Sequence, residues 1–186
     1  MTLFHPDWDS RYEFCHPVNK DDFLTIDDLI DGTPRARRWK PFAMRILHTN
    51  GENDKLLKRS DSPWYGDHAL IFRKNAATAL EPMLSSYGEL LPLNCKEADV
   101  VMFNITRVLP AIDEKASGAE YWDDGIDGTI RSVKRYVFRP QVITGQDIFK
   151  LANRRASPAF VTQRFVDQWR AAGLQGLEFR EARNLW

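Results

Sequence analysis

Two cysteines in 186 residues, Cys15 and Cys95, are too few and too widely spaced for a secreted disulfide framework. Set among apolar neighbours, both read as buried free thiols. The ten glycines are scattered, with none clustered between a strand and a helix, which excludes a phosphate-cradling loop or a dinucleotide fingerprint. No Gly-x-Ser-x-Gly elbow and no cysteine-protease signature is present, so no activated nucleophile announces itself. No stretch approaches the roughly 18 consecutive apolar residues of a membrane helix. Residues 1–8 lack the basic start and apolar run of a secretory leader, so the expected compartment is the cytoplasm and no membrane partner is expected. Charge of one sign is missing as well: 26 basic residues balance 26 acidic ones. That removes the long-range attraction that draws proteins to nucleic acid, which is therefore not the expected partner.

What is there is the composition of an ordinary globular chain, 43% hydrophobic and 28% charged. At this length roughly 70% of the unfolded surface can be buried without help from metals or disulfides. A single domain over residues 1–186 is expected. Its fold class is α+β, with a mostly antiparallel sheet and a few short helices. An amphipathic helix is expected at residues 22–30, where Phe23, Ile26, Leu29 and Ile30 recur at helical spacing. A half-buried strand is expected at 42–48, a polar surface loop at 52–66, and a strand at 69–73. Thr78 and Glu81 form a capping box, predicting a helix that starts there, ends at Gly88 and tolerates Pro82 in its first turn. Strands are expected at 89–96 and 100–108, the second central because its apolarity is nearly continuous. A long loop over 110–129 precedes strands at 133–142 and 148–152. The chain closes with a strand at 159–161, Thr162 as N-cap, a helix ended by Gly173, and a strand at 177–181. Phe165, Trp169 and Phe179 fall in that pattern as core.

The chemistry-bearing motifs are sparse. Of His5, His16, His48 and His68, only His16 sits beside another soft ligand, Cys15, and no second pair follows at zinc-site spacing. The run from Asp123 to Gly128 resembles a calcium loop superficially, but the twelfth position counted from Asp123 is Lys134 where such a loop needs glutamate. Neither a metal nor another cofactor is expected. What remains is an acidic loop carrying an aromatic pair, Tyr121 and Trp122, beside Asp123, Asp124 and Asp127; aromatics ringed by charge are the usual anchors of a protein interface. Trp64 and Tyr65 form a second aromatic pair in a polar stretch. Basic residues cluster at Arg35, Arg37, Arg38 and Lys40, at Lys55, Lys58 and Arg59, and at Arg131, Lys134, Arg135 and Arg139. Acidic runs alternate with them, so solvated faces are the default reading.

Three pieces carry a resemblance to a known family: Glu89-Leu90-Leu91-Pro92-Leu93; the strand Val101-Met102-Phe103-Asn104-Ile105 and its continuation to Asp113; and the closing segment from Phe160-Val161-Thr162 through Trp169 and Gly173 to Phe179. Together they resemble a family of immunity proteins from bacterial polymorphic toxin systems, first catalogued as a domain of unknown function. The likeness spans residues 69–181; residues 1–67 match weakly and are expected to be the variable N-terminal part. The resemblance implies a protein that binds a cognate toxin domain in the cytoplasm and holds it inactive without turnover. The residues expected to make that contact are Trp64, Tyr65, Tyr121 and Trp122, with Asp123, Asp124 and Asp127 as charge partners. The competing reading is a small enzyme in which acidic-loop carboxylates converge with a histidine such as His68.

Overall fold

The computed structural model describes residues 2–51, 55–122, 129–154 and 157–182. In chain order these form β1 (Leu3–Trp8), β2 (Phe14–Pro17), α1 (Asp22–Leu29), a 3-10 turn (Ala36–Arg38), β3 (Ala43–Leu47), β4 (Leu70–Arg73), α2 (Lys74–Leu84), β5 (Gly88–Pro92), β6 (Asn94–Cys95) and β7 (Val100–Ile105). There follow β8 (Val108–Leu109), α3 (Glu114–Ser117), β9 (Glu120–Tyr121), β10 (Ile130–Ser132), α4 (Pro140–Ile143), β11 (Ile148–Leu151), β12 (Phe160–Thr162), α5 (Gln163–Ala171) and β13 (Leu177–Glu181). The architecture is α+β and mostly antiparallel, as expected; among the described strands β3 with β6 and β11 with β8 pair in parallel.

The near-continuous apolar run of β7 has a direct cause. Successive strand residues point to opposite faces, and here both faces are covered. In the sheet β4-β7-β5, Leu70, Phe72, Phe103 and Ile105 face a core built with Leu80 and Leu84 of α2 and Phe165, Val166 and Trp169 of α5. The alternate residues Ile71, Leu91 and Met102 face a second core with Ile26 and Ile30 of α1 and Cys15, Met44 and Ile46 of the sheet β2-β3-β6. A third core lies on the five-stranded sheet β13-β1-β12-β11-β8, where Phe149 and Phe160 pack with Tyr136, Phe138 and Ile143. In that sheet β1 is hydrogen-bonded between β12 and β13, which knits the first residues of the chain to the last elements.

Several expectations are corrected. Helix α2 begins at Lys74, not Thr78, so the Thr78–Glu81 pair lies inside the helix and caps nothing. Pro82 consequently falls in the last turn, where its missing N–H leaves only the Thr78 carbonyl without its usual helical donor. The stretch expected as a surface loop is exposed at Lys55, Leu56, Lys58 and Arg59 but turns interior after them: Ser60, Asp61, Ser62, Pro63 and Tyr65 are buried. Asp61 exchanges backbone hydrogen bonds with Arg73 and Gln175. Gly176, with φ of 109°, lies so close to Ser60 that a Cβ there would meet its Oγ at 1.8 Å, a close approach that only glycine permits. The loop expected over 110–129 contains helix α3 and strand β9. Residues 133–142 are not a strand; their amide groups bond to the 113–117 turn, Lys134 N–H to the Ser117 carbonyl and Val137 N–H to the Ser117 hydroxyl, while Pro140 opens α4. Cys15 is buried as expected, but Cys95 is only half-buried, its thiol 3.2 Å from Glu97.

Candidate functional site

Among the described residues, the aromatic pair Tyr121 and Trp122 stands out because it is large, apolar and in water, 42% and 51% exposed. Its position follows from local chemistry. Asp113 caps α3 by accepting from the Ala116 N–H at 2.9 Å. Gly118 ends the helix in the left-handed region at φ 62°, and the Ala119 N–H returns to the Glu114 carbonyl. The chain therefore leaves α3 straight into β9, which pairs with β10 through Ile130 opposite Tyr121 and Ser132 opposite Glu120. The Trp122 N–H bonds the Thr129 carbonyl, which carries the pairing of this β-hairpin to the edge of the described residues. Asp123, Asp124 and Asp127 lie outside the described residues.

The hairpin is tied to the body by side chains. The Tyr121 phenol donates to Glu114 Oε2 at 2.6 Å, and the Asn153 amide donates to Glu114 Oε1 at 2.8 Å, so one carboxylate bridges hairpin and β11 turn. Its hydrogen bond to Glu114 holds the Tyr121 phenol above its ordinary pKa. On the other strand face, Glu120 accepts from the Ser132 hydroxyl at 2.8 Å and from Arg131 at 3.2 Å; these two contacts lower its pKa. Beside the hairpin opens a shallow depression of about 570 Å³ lined by Asp113, Glu114, Lys115, Tyr121 and Arg139 among others. The result is a solvent-facing surface of mixed charge with two exposed aromatic side chains.

The other expected aromatic pair is placed differently. Tyr65 is buried: its ring stacks on Phe23, and its phenol donates to Asp27 Oδ1 at 2.8 Å. Trp64 is half-buried against the α2–α5 core. The polar sequence around them concealed this, because Ser60, Asp61 and Ser62 are themselves interior and hydrogen-bonded.

His68, the histidine of the enzymatic reading, lies with Nε2 2.9 Å from Asp27 Oδ1 and Nδ1 3.6 Å from Asp67. Burial would depress its pKa, but the hydrogen bonds to Asp67 and Asp27 outweigh burial and raise it. Nearby Lys150, buried on β11, donates to the Ile30 carbonyl at the end of α1 at 2.7 Å. Burial pushes its ammonium down to about 8 against the pull of Asp67, Asp31 and Asp27. These groups join α1 to β11 as a structural network, a role the sequence did not signal. Cys15 and His16 cannot share a ligand, since adjacent strand residues diverge: Cys15 enters the core and His16 packs on the rings of Phe14 and Phe23. Among the described residues no helix is long and apolar enough to cross a membrane.

Compared with known proteins, residues 94–184 match the family model of an immunity protein family (Imm11). The match covers just under half the chain and includes every strand from β6 onward, with the Tyr121–Trp122 hairpin inside it. It agrees with the resemblance read from the sequence, except that the Glu89–Leu93 piece lies before it. The match points to toxin immunity as the function. No curated protein matches the chain.

Proposed function

Proceeding from the match of residues 94–184 to an immunity protein family, we propose that this chain binds a cognate bacterial toxin domain in the cytoplasm of the producing cell and neutralises it by stoichiometric occlusion. The observation that carries the contact surface is the hairpin: two large aromatics held in water, 42% and 51% exposed, on a pinned β-ribbon within the matched segment. Aromatic anchors on a rigid element lose little conformational entropy on binding and dominate interface energies. Tyr121 and Trp122 are the anchors, and Asp123, Asp124 and Asp127 supply negative charge suited to a basic toxin cleft. Trp64 and Tyr65 pack into the cores on either face of the β4-β7-β5 sheet and are left to the fold. Occlusion of this kind requires no turnover, and the toxin is the product of a polymorphic toxin gene adjacent to this one.

The test is co-expression of the neighbouring toxin domain with and without this protein. Survival only in its presence, together with co-purification of the pair, is the expected outcome. Trp122→Ala and Asp124→Lys should each lose protection while the protein remains folded. Equal killing in both cases and no complex would end the proposal for that pair.

A further inference from the structure

Three residues of the basic cluster at 35–40, Arg35, Arg38 and Lys40, line a cavity far in sequence from the hairpin. The cavity, about 390 Å³, is walled by Leu29, Trp39 and Phe42 and rimmed by Arg35, Arg38 and Lys40. Its walls are fixed in advance. The Trp39 indole N–H donates to the Pro92 carbonyl at 2.7 Å, and its ring meets Phe42 edge-on at 5.4 Å. The 3-10 turn carrying the cations is pinned by Glu89, whose carboxylate accepts from the Arg35 and Ala36 N–H groups and from the Asn104 amide. That arrangement commits Glu89 to two backbone N–H groups and one amide.

The charges around this slot are unbalanced. Arg35 is paired, with Asp31 at 3.2 Å, yet its Nε is buried with no hydrogen-bond partner. Among the described residues no carboxylate lies within ion-pair distance of Arg37, Arg38 or Lys40. In a chain with no net charge, a cluster of uncompensated cations around an apolar slot is a local field of one sign. Its volume is at the small end of binding pockets, of the order that takes one anchoring side chain. Cations on the rim favour carboxylates on either side of that anchor.

We infer that this slot is a second docking site, which receives an acidic segment of the toxin through a single aromatic or branched apolar residue flanked by Asp or Glu. The inference rests on the toxin-binding reading for the identity of the partner, and on the slot alone for its chemistry. The slot lies outside residues 94–184, so it supplies contacts that the matched family segment does not. With the hairpin surface it gives the protein two recognition surfaces, and this one selects acidic features of the partner. A toxin that satisfies both is bound far more tightly than one satisfying either.

The test uses the full chain and Arg38→Glu/Lys40→Glu, both exposed positions, with far-UV circular dichroism and thermal unfolding confirming an unchanged fold. A fluorescein-labelled peptide bearing one tryptophan between paired glutamates should bind the unaltered protein with salt-sensitive affinity. The double variant should weaken that binding at least tenfold, whereas Trp122→Ala should leave it unchanged. The same double variant should weaken the complex with the toxin domain at least tenfold. Absence of peptide binding, or equal binding by the charge-reversed protein, overturns the slot. A toxin complex that forms but ignores the charge reversal also overturns it while leaving the proposed function standing. Failure of even the unaltered protein to bind the toxin, with the peptide still bound, refutes the function and the assignment of the toxin as occupant. A fluorescent single-stranded oligonucleotide that binds more tightly than the peptide and competes with it would overturn the acidic-segment chemistry in favour of nucleic acid.

Discussion

The Tyr121 phenol and the Glu114 carboxylate meet at 2.6 Å, and that bond ties an exposed aromatic hairpin to the first residue of a capped helical turn. Holding an anchor in its bound orientation lowers the entropic cost of association. Tyr121→Phe, which keeps the ring and removes the tether, should therefore speed dissociation of the toxin complex by about threefold with little change in association rate. Surface plasmon resonance with immobilised toxin domain separates the two rates; an unchanged dissociation rate would show that the tether does not order the hairpin for binding.

Trp122 is half in water and belongs to none of the three core clusters among the described residues, so its removal should leave the fold alone. Trp122→Ala is expected to shift the melting temperature by no more than about one degree and to cost about 30-fold or more in toxin affinity, the scale of a central aromatic anchor. Calorimetric titration and thermal unfolding on the same sample check both halves. A large drop in melting temperature would mean that Trp122 serves the fold instead.

The junction between the N-terminal part and β4 is a buried ion pair. Arg73 lies 2.7 Å from Glu13, with both side chains nearly inaccessible. Glu13 also accepts from the Ser60 N–H and sits 2.9 Å from His48 Nδ1. Glu13→Ala strands the Arg73 guanidinium and should destabilise the protein by roughly 3–5 kcal/mol. The double change Glu13→Leu/Arg73→Met should recover much of that loss. Urea unfolding of the two variants decides the matter, and a double variant no better than the single one would show that the other partners of Glu13 matter more.

Lys150 gives a pH signature. Its folded-state pKa is pushed down to about 8 by burial, below the ordinary value of about 10.5. The unfolded chain therefore binds a proton that the folded chain does not between those limits, and folding becomes more favourable as pH rises through that window. Burial also holds Cys15, Tyr65 and Tyr136 above their ordinary values; these groups act in the opposite direction at high pH, so the contrast with Lys150→Met isolates the lysine. Relative to that variant, the unaltered protein should gain about 2–3 kcal/mol of unfolding free energy between pH 7 and pH 10. Parallel pH curves for the two proteins would show that Lys150 is not held in a charge-disfavouring site.

The legible parts of the fold were those where periodicity and punctuation agreed. Phe165, Val166 and Trp169 share a helical face, Gly173 follows, and the strand-helix-strand closure appears as read. Double-sided apolarity placed β7 at the centre of its sheet. The start of α2 was hidden because Lys74, Asn75, Ala76 and Ala77 carry no capping signal, while the Thr78–Glu81 signature sits where the backbone is already helical. Residues 133–142 alternate like a strand, but their hydrogen-bonding groups are taken by Ser117 and Asp113, a long-range fact absent from local sequence. The same limit governed the site. The exposure of Tyr121 and Trp122 was legible because charged residues, Glu120 before them and Asp123 and Asp124 after them, flank the pair in sequence. Tyr65 was not, because its burial depends on Phe23 and Asp27, about forty residues earlier. The slot walled by Trp39 and Phe42 was invisible for a similar reason: Pro92, which fixes the indole, lies on β5.

The most direct test of neutralisation by binding is a titration of the purified toxin domain's activity with this protein. Stoichiometric occlusion predicts that activity falls linearly to zero at one equivalent, that the toxin's mass is unchanged, and that activity returns when the pair is separated under denaturing conditions and the toxin is refolded. Loss of activity at a small fraction of an equivalent, growing with time and accompanied by a change in the toxin's mass, would contradict the account and identify the protein as an enzyme acting on its toxin.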